Sequence, residues 1–197
     1  MKRTVAAAIF ALCAVVLPQF THADDLNDTF KRVNDAVAAK NYPKALDELA
    51  WAKKSIEKLN NDQIASFFPD TLAGFTGAKI QSNNALGFTS MQRNYQKDQS
   101  TVQISLTGGS GGAGGLGGLA AIGKMAAMMG GENGQDTLRV AGRTATLNTQ
   151  NQPTLTIYLD SGSILELRAQ GSTSADDLKT MAEAIKIDDL DKYLRGQ

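Results

Sequence analysis

Apolar residues recur at helical spacing in the first part of the chain. Over Asp24–Lys40, Leu26, Phe30, Val33 and Val37 follow one another at intervals of four, three and four, which predicts a helix with one apolar stripe. Asp24, Asp25 and Asp28 stand near its start, where the helix dipole favours negative charge. Asn41-Tyr42-Pro43 breaks the periodicity, and Pro43 suits the first turn of a new helix. Leu46, Leu49, Ala52, Ile56 and Leu59 then form a second stripe. A connection this short predicts a helical hairpin over residues 24–62.

Beyond Phe67-Phe68-Pro69-Asp70-Thr71-Leu72-Ala73-Gly74-Phe75 the period changes to two. The proline and glycine forbid continued helix, and the aromatics are expected to be buried. Val102, Ile104 and Leu106 alternate with polar residues, as do Leu138 and Val140, and Leu155, Ile157 and Leu159. Gln92–Gln96 reads as a further strand. Asp160-Ser161-Gly162-Ser163 is a turn leading into Ile164–Ala169, so a hairpin is expected there. Short strands with frequent turns imply antiparallel pairing. Two more helices are expected, one over Leu116–Met129 and one after Ser174. Ser174 and Asp177 make an [ST]-x-x-[DE] start signal, and Leu178, Met181, Ala182 and Ile185 form the buried face. Ile187, Leu190 and Leu194 continue a short apolar edge. The fold class is therefore α+β: a helical hairpin, then an antiparallel sheet with helices packed on it over residues 65–195.

The extreme N-terminus follows neither period. Lys2 and Arg3 precede an apolar run from Val5 to Leu17, Pro18 ends it, and Thr21-His22-Ala23 supplies small residues at a cleavage site. This is the pattern of a secretory signal peptide over residues 1–23 cut after Ala23, and the run is too short for a bilayer span of about 20 residues. Cys13 admits lipidation as an alternative, but Leu12 before it fits that signal poorly. The expected location is the periplasm, with no stable membrane anchor after cleavage.

Cleavage would remove the one cysteine and the one histidine of the chain. No disulfide framework would remain, and the fold would rest on its hydrophobic core. Neither a Ser-His-Asp nor a Cys-His arrangement could form, and zinc would lose its usual nitrogen and sulfur ligands. With 20 basic and 20 acidic residues the chain carries no excess positive charge for nucleic acid. Asp176-Asp177 and Asp188-Asp189 are carboxylate pairs, yet adjacent helical residues point about 100° apart and do not converge on one site. They read as helix-start acids.

The glycine run from Gly108 to Gly118 contains Gly109-Ser110-Gly111-Gly112-Ala113-Gly114, a match to G-x-G-x-x-G. A run this dense matches by chance, and Gly123-Lys124 is followed by Met125 rather than serine or threonine. A flexible connector over residues 107–118 accounts for it better. Met125, Met128 and Met129 could hold copper(I) through soft thioethers, or fill the core beside Leu116, Leu119 and Ile122. The same apolar segment could instead dock on a membrane or a partner.

Lys40-Asn41-Tyr42-Pro43-Lys44-Ala45-Leu46 resembles the turn and second-helix start of a tetratricopeptide unit, without a second copy at that period. A single unit cannot bury its own face, which implies packing on the following domain or a second subunit. Residues 65–195 resemble the PsbP/Mog1 group. The resemblance is carried by the Pro69-Asp70…Gly74-Phe75 opening, strand pairs flanking one central helix, and the closing Ala184-Ile185-Lys186-Ile187-Asp188…Leu190 segment. It implies an α/β/α layering and a role in binding or assembling proteins rather than catalysis. Two functional readings follow. One is a non-catalytic envelope protein acting through protein contacts, with an envelope protein or a homo-oligomer as partner and no cofactor. The alternative is a binder of copper(I) or an apolar molecule using the methionine-containing helix.

Overall fold

A computed structural model describes residues 22–85, 88–109, 121, 123–125 and 135–197. The chain divides into two compact units, with the boundary between Lys58 and Leu59.

The first unit is the expected hairpin. Helix α1 runs His22–Ala38 and α2 runs Tyr42–Ala65, three residues beyond the expected end at 62. The turn closes because Lys40 takes a left-handed conformation (φ 54°) and the Asn41 N–H donates to the Ala36 carbonyl at 2.8 Å. Asn41 then caps α2, its side-chain oxygen accepting from the Lys44 N–H at 3.3 Å. Thr29, Val33 and Ala36 of α1 are buried, as are Ala45 and Ala52 of α2. Arg32 of α1 reaches Glu48 of α2 at 2.9 Å.

The second unit is built on an antiparallel sheet of nine strands: β1 (Thr71–Leu72), β2 (Phe75–Gly77), β3 (Gln81–Ala85), β4 (Phe88–Lys97), β5 (Ser100–Gly109), β6 (Gln135–Val140), β7 (Arg143–Asn148), β8 (Thr154–Tyr158) and β9 (Ile164–Gly171). The spatial order is β1-β2-β4-β5-β9-β8-β7-β6. β3 pairs with the first half of β4, and β2 with its last residues. Register aligns the apolar residues in rows: Met91, Leu106, Leu165, Ile157 and Ala145 in one, and Ile104, Leu167, Leu155 and Leu147 in the next. All of them are buried.

Helix α3 (Ala175–Ala184) buries Leu178, Met181 and Ala182 in that core, and α4 (Ile187–Leu194) adds Ile187 and Leu190. The Ser174 signal produces a full capping box: Ser174 Oγ accepts from the Asp177 N–H at 3.1 Å, and Asp177 accepts from the Ser174 N–H at 2.9 Å. That bonding holds the Asp177 carboxyl below its ordinary value, the Ser174 N–H contributing most. The Leu159–Ser163 turn links β8 to β9 as expected, with Gly162 at φ 81°.

Several expectations need correction. Thr107, Gly108 and Gly109 belong to β5, so the connector does not begin at 107: they pair with Ser90, Thr89 and Phe88. Gly108 is there for space, since a Cβ would lie 2.1 Å from Ser163 Oγ. The apolar edge at Ile187–Leu194 is a helix. Strands β1, β2, β3 and β7 are additions to the expected set. Of the helix expected over 116–129, Ala121 and Gly123–Met125 are described and helical, and the rest lies outside the described residues. Gly123 approaches the Tyr158 ring, where a Cβ would fall 2.6 Å from a ring carbon, and Lys124 pairs with Asp160 at 3.2 Å. Tyr158 alternates with Ile157 and Leu159, so helical residues meet the sheet face opposite the apolar core.

The β6–β7 turn places Ala141 (φ 47°) and Gly142 (φ 76°) between the paired residues Val140 and Arg143, a two-residue turn of the I′ kind. Alanine is strained there and asparagine is not, so Ala141→Asn is expected to raise stability by about 0.5–1 kcal/mol. The urea midpoint should move up with an unchanged slope.

Candidate interaction surface

The apolar stripes of the hairpin are only half covered. Val33, Ala45 and Ala52 are inside, but Phe30, Val37, Tyr42, Leu46, Leu49 and Ile56 are each between 40% and 67% exposed. Phe30 of α1 and Leu49, Ala52 and Ile56 of α2 line one groove of about 330 Å³, with Lys53 and Glu57 at its rim. Val37 lies one heptad after Phe30, and Tyr42 one heptad before Leu49, so both continue the same faces. The physical cause is the size of the seam residues. Ala36, Ala45 and Ala52 are buried but small, and the large side chains of the two stripes stand at the margin. The exposed apolar area is on the order of 500 Å², within the range of about 300–600 Å² shown by the largest patch on a monomer, which is often functional. Trp51, also exposed, lies on a different face of α2 with Lys54 over its ring at 5.5 Å.

Two buried charged clusters in the second unit were missed from the sequence. Asp191 of α4 is fully buried and accepts from Arg143 at 2.9 Å, from the Ser161 N–H at 2.9 Å and from the Asp160 N–H at 3.2 Å. Arg143 also contacts Asp188 and the Ala141 carbonyl. Burial alone would raise the Asp191 carboxyl, but these donors outweigh it and hold it below its ordinary value. Arg93 of β4 donates to the Phe68 carbonyl and Asp70, across Gly77, whose missing side chain leaves it room. Tyr95 donates to the Pro69 carbonyl at 2.9 Å, and burial pushes its phenol up to about 12. The signal was parity: Arg93 shares the inward face of Met91 and Tyr95, and Asp191 lies four residues after Ile187 and three before Leu194. Both clusters tie elements together, and their partners are the protein's own groups.

Among the described residues, the remaining candidates do not converge on one site. Met125 is 63% exposed, while Met128 and Met129 lie outside the described residues. Ala23 falls in the first turn of α1. The glycine run beyond Gly109 lies outside the described residues. Asp176 pairs with Lys179 at 3.0 Å and Asp177 completes the cap, so this acidic pair serves α3. Among the described residues no three or more histidine, cysteine, aspartate or glutamate side chains come together as a metal site, and no helix is long and apolar enough to cross a membrane. On the polar sheet face, Thr76, Asn94, Gln96 and Thr101 line a shallow uncharged depression of about 460 Å³. Comparison with known protein families, curated proteins and solved structures finds no match for this chain.

Proposed function

We propose that this is a non-catalytic envelope protein that acts through protein contacts made by the α1–α2 hairpin. The open apolar groove carries this reading: hydrophobic side chains flanked by one lysine and one glutamate form a surface that a helical protein segment would cover. The signal-peptide pattern of residues 1–23 supports export to the periplasm with cleavage after Ala23. The antiparallel sheet, with α3 and α4 on one face and Gly123 against Tyr158 on the other, supports a PsbP/Mog1-like reading of the second unit. The role in binding or assembly which that group implies agrees with the hairpin reading.

Photocrosslinking in cells tests it. A photoreactive side chain at Leu49 or Ile56 is expected to give discrete protein adducts in the envelope fraction. The same group at Asp47 or Lys54, on the opposite side of α2, is expected to give none. Equal labelling at all four positions, or adducts at none, would show that the groove is not a contact surface.

A further inference from the structure

The open face of the hairpin carries the residue spacing of bundled helices, and we infer that a second copy of this chain supplies the helices that cover it. The inference rests on the hairpin being a protein-contact surface and names the partner. Tyr42, Ala45, Leu49, Ala52 and Ile56 are spaced three, four, three and four, the a/d alternation of bundled helices. Leu26, Phe30, Val33 and Val37 continue it on α1. In a bundle each helix uses such positions against two neighbours. Here one subset (Val33, Ala45, Ala52) is buried in the hairpin, and the other (Phe30, Val37, Tyr42, Leu49, Ile56) stands open.

Area and charge both select the second copy. Two such faces would bury on the order of 1,000 Å² of apolar surface together, the lower bound for a specific interface. A two-fold axis sets a patch against itself, so a rim of one sign would repel its own copy. This rim carries Lys53 and Glu57, 3.7 Å apart on one turn of α2. Lysine of one protomer can therefore meet glutamate of its partner, and the rim has no net charge with which to select a strongly acidic or basic protein.

Sedimentation equilibrium of the protein as its cells process it tests this. The expected result is a species of twice the chain mass at concentrations of about 10 μM. Leu49→Glu with Ile56→Glu is expected to weaken self-association at least about 100-fold, with the far-UV circular dichroism of wild type. If that variant does not fold, the rim keeps the test open: Lys53→Glu is expected to weaken the dimer severalfold, and adding Glu57→Lys to restore it. A monomer at about 100 μM overturns the inference, as does a dimer indifferent to both sets of changes. The two readings fail separately. A monomer whose Leu49 crosslinks to a different envelope protein leaves the contact surface standing and removes the second copy, whereas a monomer without adducts removes both.

Discussion

Replacing Asp191 with alanine is expected to lower the unfolding free energy by about 3 kcal/mol, because it leaves the Arg143 cation buried without its main partner. Asp188 stays in contact with Arg143 but is largely exposed, so it offsets only part of the loss. Two further donors lose their acceptor, the N–H groups of Asp160 and Ser161 in the β8–β9 turn. Those N–H groups distinguish this cluster from a simple buried ion pair. Substituting apolar residues for both members of such a pair is often harmless. Here Arg143→Met with Asp191→Leu should remain about 1–2 kcal/mol below wild type, since the turn amides are still orphaned. Urea unfolding of the three chains measures this, and full recovery in the double variant would show that the turn amides do not depend on Asp191.

The same carboxylate sets an acid limit on stability. Its folded-state pKa lies below that of the unfolded chain, so the folded protein binds the proton less readily. Its contribution is fully present above about pH 4, the ordinary aspartate value, and is lost as the pH falls through the lower folded value. The gap between wild type and Asp191→Ala should therefore be constant at neutral pH and narrow below about pH 4. A gap independent of pH across that range would contradict the assignment.

Strong alternation made β5 and β8 legible, because their inward positions are large and aliphatic and their neighbours mostly polar, and the Asp160–Ser163 turn made β9 legible as the second strand of a hairpin. The same rule hid β7. Arg143, Thr144 and Thr146 are buried there beside Ala145 and Leu147, so no apolar alternation reaches the sequence. β3 was hidden for a different reason: Gln81-Ser82-Asn83-Asn84-Ala85 pairs along an edge and has little apolar to bury. The hairpin stripes were legible as stripes. Which half of each would stay open was not, since the buried positions include the small Ala36, Ala45 and Ala52, and periodicity weighs an alanine and a leucine alike. Arg93 and Asp191 were legible only as charges on an apolar face, a pattern that requires the strand or helix to be placed before it can be noticed.

Arg93→Met is expected to cost about 2 kcal/mol, although methionine fills nearly the same space and removes a charge from the core side of the sheet. The loss comes from the Phe68 carbonyl, which accepts from Arg93 where the chain leaves α2 for β1. Asp70 contributes little to this sum because it is 94% exposed and water can replace the guanidinium. Arg93→Lys separates charge from geometry: one ammonium cannot serve both the carbonyl and Asp70 across Gly77, so it should recover only part of the loss. The change also reaches Tyr95, whose ring lies 5.5 Å from the guanidinium. Burial raises the phenol and the Arg93 charge partly opposes that rise, so removing the charge should raise it further. In wild type the raised value means that stability is constant below the unfolded tyrosine value near 10 and declines as pH climbs toward about 12. In Arg93→Met the decline should begin at the same pH and extend further, which alkaline unfolding followed by tyrosinate absorbance would show. An Arg93→Met variant as stable as wild type at pH 7 would mean that the Phe68 carbonyl has another donor.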